Sequence, residues 1–196
     1  MIDVIDFGHI NIVVDDVDEA TSYYHKLFGF ELVQFFPRFR NVGFAKGAGF
    51  LKEPNDVDVS INFLKIPNTI IYIELISYNF PKNNTPPNRF QPNELGGPRH
   101  IALRVKNIED AYSKVISSPD VFPLITDPCY KPAQLSLVEP SDFVFADEEM
   151  ESNTELKLKA AMVSSGISFV YFSDKYGVTW ELEEAPSDVD DPALSI

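Results

Sequence analysis

The sequence predicts an α+β protein made of two tandem copies of one β-α-β-β-β unit. Three observations predict it. A histidine stands in an apolar, strand-like run twice, in "FGHINIVVDD" (7–16) and "PRHIALRVKN" (98–107), and the two histidines are 100 − 9 = 91 residues apart. Each run stops at a residue able to cap a helix, and a helix-period apolar pattern follows it. Each copy then closes on a strand that carries a glutamate, Glu74 in "IYIELISY" and Glu181 in "VTWELEE". Similarity at so long a period points to duplication.

The first copy occupies 1–80. Its first strand runs from about Val4 to Val14. Asp16 caps the following helix, with Glu19 three residues later completing a capping-box-like pattern. Ala20, Tyr23, Tyr24, Leu27 and Phe28 form one apolar face, and Gly29 ends the helix. The runs "FELVQFF", "NVGFAKG", "VDVSINFL" and "TIIYIELISY" all read as strand. A linker rich in Pro, Asn and Gly spans 81–98. The second copy occupies 99–185. It has the strand "RHIALRV", the cap Asn107, and a helix lined by Ile108, Ala111, Tyr112 and Val115. Its further strands are "VFPLIT", "ISFVYFSD" and "VTWELEE". A long insertion, 126–166, holds the acidic run "DFVFADEEMESNTE" and a short helix over "ELKLKAAMVSS"; the tail is 186–196.

Composition narrows the function. A chain of 196 residues with 44% hydrophobic and 23% charged residues is ordinary for a globular protein. No apolar run approaches the roughly 20 residues of a membrane helix, and the N-terminus lacks the features of a signal peptide. Cys129 is the single cysteine, so neither a disulfide framework nor a cysteine-based metal site is expected, and the cytoplasm is the expected compartment. The net charge of −14 opposes nucleic acid and disfavours polyanions such as coenzyme A. Arg38, Arg40 and Lys46 form one basic patch, which reads equally well as ligand binding or as scattered surface charge.

Strand side chains alternate between faces. Ile10, Ile12 and Val14 oppose His9, Asn11 and Val13. Ile101, Leu103 and Val105 oppose His100, Ala102 and Arg104. In the closing strands, Ile71, Ile73 and Leu75 oppose Tyr72, Glu74 and Ile76, while Val178, Trp180 and Leu182 oppose Thr179, Glu181 and Glu183. Each strand thus has an apolar face for a helix and a mixed face with a His or Glu. A carboxylate on a half-buried strand is costly unless paired or bound to a cation. Two His and two Glu converging on one concave face would suit a divalent Zn, Ni, Co, Fe or Mn ion with open positions for substrate. Taken singly, a strand His is more often a hydrogen-bonded structural residue; the matched placement in both copies favours ligation. His25, on the polar side of the first helix, reads as surface.

Three segments carry a family resemblance. "HINIVVDDVDEATSYYHKLFGFEL" resembles the opening of vicinal oxygen chelate proteins, the glyoxalase/bleomycin-resistance superfamily. "HIALRVKNIEDAYSKV" resembles the opening of their second module, and "FSDKYGVTWELEE" is similar to their closing turn and strand. The resemblance implies paired βαβββ modules forming a cupped mixed β-sheet around a metal site. It implies His9, Glu74, His100 and Glu181 as ligands of one divalent ion, with Glu74 and Glu181 also as proton carriers. Asn11, Arg38, Arg40, Tyr72 and Arg104 are the candidate substrate contacts. The implied reaction is removal of a proton alpha to a carbonyl, through a metal-stabilised enolate, by an epimerase or isomerase acting on a small polar keto compound. The alternatives are a glyoxalase I-like lyase, an Fe(II) extradiol-type dioxygenase, and a non-catalytic drug-binding resistance protein. A homodimer is possible by the same resemblance.

Overall fold

The computed structural model describes residues 6–82, 98–134, 139–142, 144–164 and 166–185. They fall into two units, one within Met1–Pro87 and one within Asn88–Ile196. Val4 and Ile5 of the expected first strand, most of the expected linker (83–97) and the expected tail (186–196) lie outside the described residues.

The first unit contains β1 (Ile10–Val13), α1 (Val17–Phe28), β2 (Glu31–Phe39), α2 (Val42–Gly47), β3 (Asp58–Lys65) and β4 (Tyr72–Phe80). Its sheet has the order β1-β4-β3-β2, with β1 parallel to β4 and the other pairs antiparallel. The expected caps are present. The Asp16 carboxylate accepts from the backbone N–H groups of Asp18 and Glu19, and Gly29 takes the left-handed conformation (φ 72°) that ends α1. Ala20 and Tyr24 of α1 are fully buried, as are Leu64, Ile73 and Leu75 on the sheet face that α1 covers. The buried Asn62 ties helix to sheet by donating to the Val17 carbonyl, the Asp18 carboxylate and the Thr21 hydroxyl.

One expected strand is a helix. "NVGFAKG" forms α2 because the Asn41 side chain accepts from the Phe44 N–H, an N-cap that turns the chain out of the ladder. Ala45 of α2 joins Val57, Val59, Ile61 and Ile76 in a second small core on the sheet face opposite α1, flanked by Phe39, Phe44 and Phe50. That face is therefore apolar and covered at one end, and polar and open at the other.

The second unit contains β5 (Ile101–Arg104), α3 (Ile108–Ile116), β6 (Phe122–Pro123), β7 (Ala133–Gln134), a 3-10 turn (Pro140–Asp142), α4 (Glu148–Ser152), α5 (Thr154–Ser164), β8 (Ser168–Ser173) and β9 (Thr179–Glu184). The sheet order is β5-β9-β8-β6, with β7 added against β8 and β5 parallel to β9. The run "VFPLIT" contributes only two residues of strand, because Pro123 has no N–H to continue a ladder. The carboxylate of Glu184 accepts from the N–H groups of Asn107 and Ile108, so the last strand caps the start of α3. Those two bonds hold its pKa below the ordinary glutamate value. Within the insertion, α5 forms where the sequence predicts a helix, and α4 precedes it on an Asp147 cap.

Candidate functional site

The apolar-in alternation places one His–Glu pair at the same position in each unit. Neither histidine lies within the ladder, contrary to the expectation of a His inside a strand. His9 directly precedes β1 and His100 directly precedes β5, so both rings stand at a strand mouth. Asn11 pairs with Glu74 in the parallel ladder of the first unit, and Ala102 pairs with Glu181 in the second. In both units the histidine thus sits two residues before the partner of the glutamate.

The distances match. His9 Nε2 is 3.1 Å from Glu74 Oε2, and His100 Nε2 is 3.1 Å from Glu181 Oε2. The imidazoles are 42% and 41% exposed while the carboxylates are 15% and 12% exposed, so each pair presents its ring to the opening and sinks its acid. Burial pushes the Glu181 pKa up, the Glu183 charge adds to this, and His100 and the Tyr171 hydroxyl pull it down without reversing the shift. Burial, and then the negative charge of Glu181, push the Tyr171 hydroxyl up as well.

Each pair fits one edge of a metal site. Two donors bonded to one ion at ~2.1 Å stand about 3.0–3.4 Å apart in octahedral or tetrahedral geometry, and both N···O separations fall in that range. Among the described residues no group of three or more His, Cys, Asp or Glu gathers to hold an ion. Each unit therefore supplies two donors of the right type.

The remaining expected site residues have definite places. Asn11 Nδ2 donates to Glu74 Oε2 at 2.8 Å. Arg38 and Arg40 both donate through Nε to the buried carboxylate of Asp58, which also accepts from Asn79. Burial alone would raise the Asp58 pKa, but the two guanidiniums outweigh it and leave the carboxyl below its ordinary value. Arg104 donates to Glu183, its partner in the ladder, at 3.3 Å. Tyr72 lines a cavity of about 350 Å³ together with Gly8, His9, Val33, Gln34 and Phe63. His25 is exposed, as expected, and its Nδ1 lies 3.0 Å from the Phe30 carbonyl beyond the helix end.

Several contributors were not singled out in the sequence. Phe63 and Tyr171 are the antiparallel partners of Glu74 and Glu181 and flank the two imidazoles. Gln34 and Val33 line the cavity from β2. Asp174, fully buried, accepts from the N–H groups of Tyr176 and Val178 and from Trp180 Nε1, which fixes the turn into β9 one residue before Glu181.

The sequence profile of the Glyoxalase/Bleomycin resistance protein/Dioxygenase superfamily matches residues 6–118, more than half of the chain. The chain belongs to that superfamily. Solved structures similar to this glyoxalase-superfamily chain include a glyoxalase family protein from Bacillus cereus. It is 14% identical, with 93% of this chain and 95% of that one covered and a TM-score of 0.62. The fosfomycin resistance protein FosX from Listeria monocytogenes is 14% identical, with 95% and 98% of the two chains covered and a TM-score of 0.50. At these identities the likeness shows the fold. No curated protein matches the sequence. Among the described residues of this superfamily member, no helix is long and apolar enough to cross a membrane.

Proposed function

We propose that the protein is a metal-dependent epimerase or isomerase that removes a proton alpha to the carbonyl of a small polar keto compound. The observation that carries this reading is the repeated His–Glu pair, at equal register and equal N···O distance in both units. His9 with Glu74, and His100 with Glu181, would supply ligands to a divalent ion of the Zn, Ni, Co, Mn or Fe group. Such an ion supplies Lewis acidity to adjacent substrate oxygens and lowers the pKa of the neighbouring C–H.

The chain's own residues do the rest. A glutamate receives the alpha proton and returns it. Glu74 and Glu181 are the candidates for that role. Arg38 and Arg40 remain candidate substrate contacts through the guanidinium N–H groups not used on Asp58. Tyr72 lines the cavity. Arg104 is engaged by Glu183 and can contact substrate only through its remaining N–H groups. The single cysteine and the acidic charge fit an uncharged substrate in a reducing cytoplasm.

Incubation of the metal-loaded protein with neutral hydroxy-ketones in heavy water tests this. Exchange of an alpha proton that chelator abolishes is the expected result. Oxygen uptake with a catechol and no exchange would instead favour an extradiol dioxygenase. A glyoxalase I-like lyase would act on thiol hemithioacetals alone.

A further inference from the structure

Two consecutive residues of β2 line the cavity of the first unit, which a regular strand does not allow. The cavity is about 350 Å³ and is lined by Gly8, His9, Val33, Gln34, Phe63 and Tyr72. Successive side chains of a strand alternate between faces. Between Leu32 and Gln34 the register slips: Leu32 pairs with Leu64 and Gln34 with Phe63, so Val33 is an extra residue in β2. Such a bulge re-aims side chains, and here Val33 and Gln34 both reach the cavity.

The bulge sets Gln34 at the end of a row that crosses the sheet. Gln34 pairs with Phe63, Phe63 with Glu74, and Glu74 with Asn11. Neighbouring strands lie about 4.8 Å apart, so the Gln34 and Glu74 backbones stand about 10 Å apart with Phe63 between them. His9 is at the Glu74 end, 3.1 Å from that carboxylate, and its ring meets Phe63 edge-on with centroids 5.7 Å apart. Gln34 is exposed, and its amide makes no side-chain hydrogen bond among the described residues. The row of the second unit is shorter. Tyr171 pairs with Glu181, but no strand residue pairs with its other side among the described residues; its backbone N–H donates to the Tyr130 hydroxyl instead.

We infer that Gln34 is a specificity-determining residue: its amide holds a hydroxyl or carbonyl oxygen at the end of the keto compound remote from the His9–Glu74 pair. The substrate class is then a keto compound with a third oxygen, a few bonds beyond the two adjacent oxygens that the metal would take. A carboxamide donates through its nitrogen and accepts through its oxygen, so it matches a hydroxyl in either sense. Phe63 and Val33 supply apolar contact to the middle of the ligand and no competing hydrogen bond. The inference deepens the reading proposed above and rests on it for the placement of the reacting end.

Calorimetry on the zinc-loaded full chain tests it with two probes, 5-hydroxypentanohydroxamic acid and hexanohydroxamic acid. Both offer zinc the same pair of adjacent oxygens; at the far end one carries a hydroxyl where the other carries a methyl group. The ratio of their affinities is compared between the parent, Gln34→Leu and Gln34→Ala, with the zinc content of each measured alongside. Both substitutions are at an exposed position of the edge strand, and each should shift the ratio about three- to tenfold against the hydroxyl probe. An unchanged ratio in a variant that keeps its zinc overturns the inference and leaves the metal reading standing, as does a zinc-bearing parent that binds neither probe. A folded parent that retains no zinc and binds neither probe overturns the metal reading and the inference with it.

Discussion

Tyr171 stands in the second unit where Phe63 stands in the first. Each is the antiparallel partner of its unit's glutamate, and each ring lies beside its unit's histidine, with centroids 5.1 Å and 5.7 Å apart. They differ by one hydroxyl, which Tyr171 donates to Glu181. In the first unit the neutral donor comes from the other neighbouring strand, as Asn11 Nδ2 to Glu74; the matching position in the second unit is Ala102. Each carboxylate is thus oriented by one histidine and one uncharged donor, supplied from opposite sides.

This exchange of donors is testable in metal affinity. Groups that orient a ligand carboxylate typically contribute 10–100-fold to affinity. Asn11→Ala and Tyr171→Phe should each weaken divalent-ion binding by about tenfold in chelator competition. Adding Phe63→Tyr to Asn11→Ala rebuilds in the first unit the arrangement of the second, and should recover much of the loss. No recovery would mean that Asn11 acts on Glu74 by some route other than its hydrogen bond.

The Asp58 cluster predicts the acid limb of stability. Its folded pKa is held below the ordinary value of 3.8 by Arg38 and Arg40, against the opposing effect of burial. A carboxylate with a depressed folded pKa adds stability above its unfolded pKa and loses it as pH falls through the folded value. Melting temperature should therefore drop as pH falls below about 4. Asp58→Asn should melt lower than the parent at neutral pH and show a shallower drop in acid. Parallel pH profiles for the two proteins would contradict this.

The turn before β9 should be costly to disturb. Asp174→Ala leaves the buried Trp180 Nε1 and the part-buried N–H groups of Tyr176 and Val178 without this acceptor. A buried donor that loses its acceptor costs about 1–3 kcal/mol, so denaturant unfolding should show a loss of about 2 kcal/mol. Because Glu181 follows Trp180, metal uptake by the folded fraction should fall too. Unchanged uptake would separate the turn from the site.

Much of the fold was legible because local chemistry and tertiary packing agree. Asp16 and Asn107 start helices through their side chains, and Gly29 ends one through its backbone freedom. The alternation around Ile73, Leu75, Trp180 and Leu182 marked the buried face. "NVGFAKG" misled because its apolar content resembles a short strand, while the deciding feature, the Asn41 cap, is a single polar residue at its edge. The His–Glu pairs were legible from the same alternation. Phe63, Tyr171 and Gln34 were not, because the pairing of Phe63 and Tyr171 with the glutamates, and of Gln34 with Phe63, depends on antiparallel register, including the irregularity between Leu32 and Gln34. Arg38 and Arg40 read as a free basic patch because Asp58, 20 and 18 residues away, is brought to them only by the ladder.

The most direct measurement is elemental analysis of purified protein loaded with a divalent ion, for the parent and for His100→Ala and Glu181→Ala. The parent should retain about one ion per chain. Each variant should lose it while keeping the parent's circular dichroism spectrum. Full metal content in either variant, or a folded parent that retains none, would contradict the assignment.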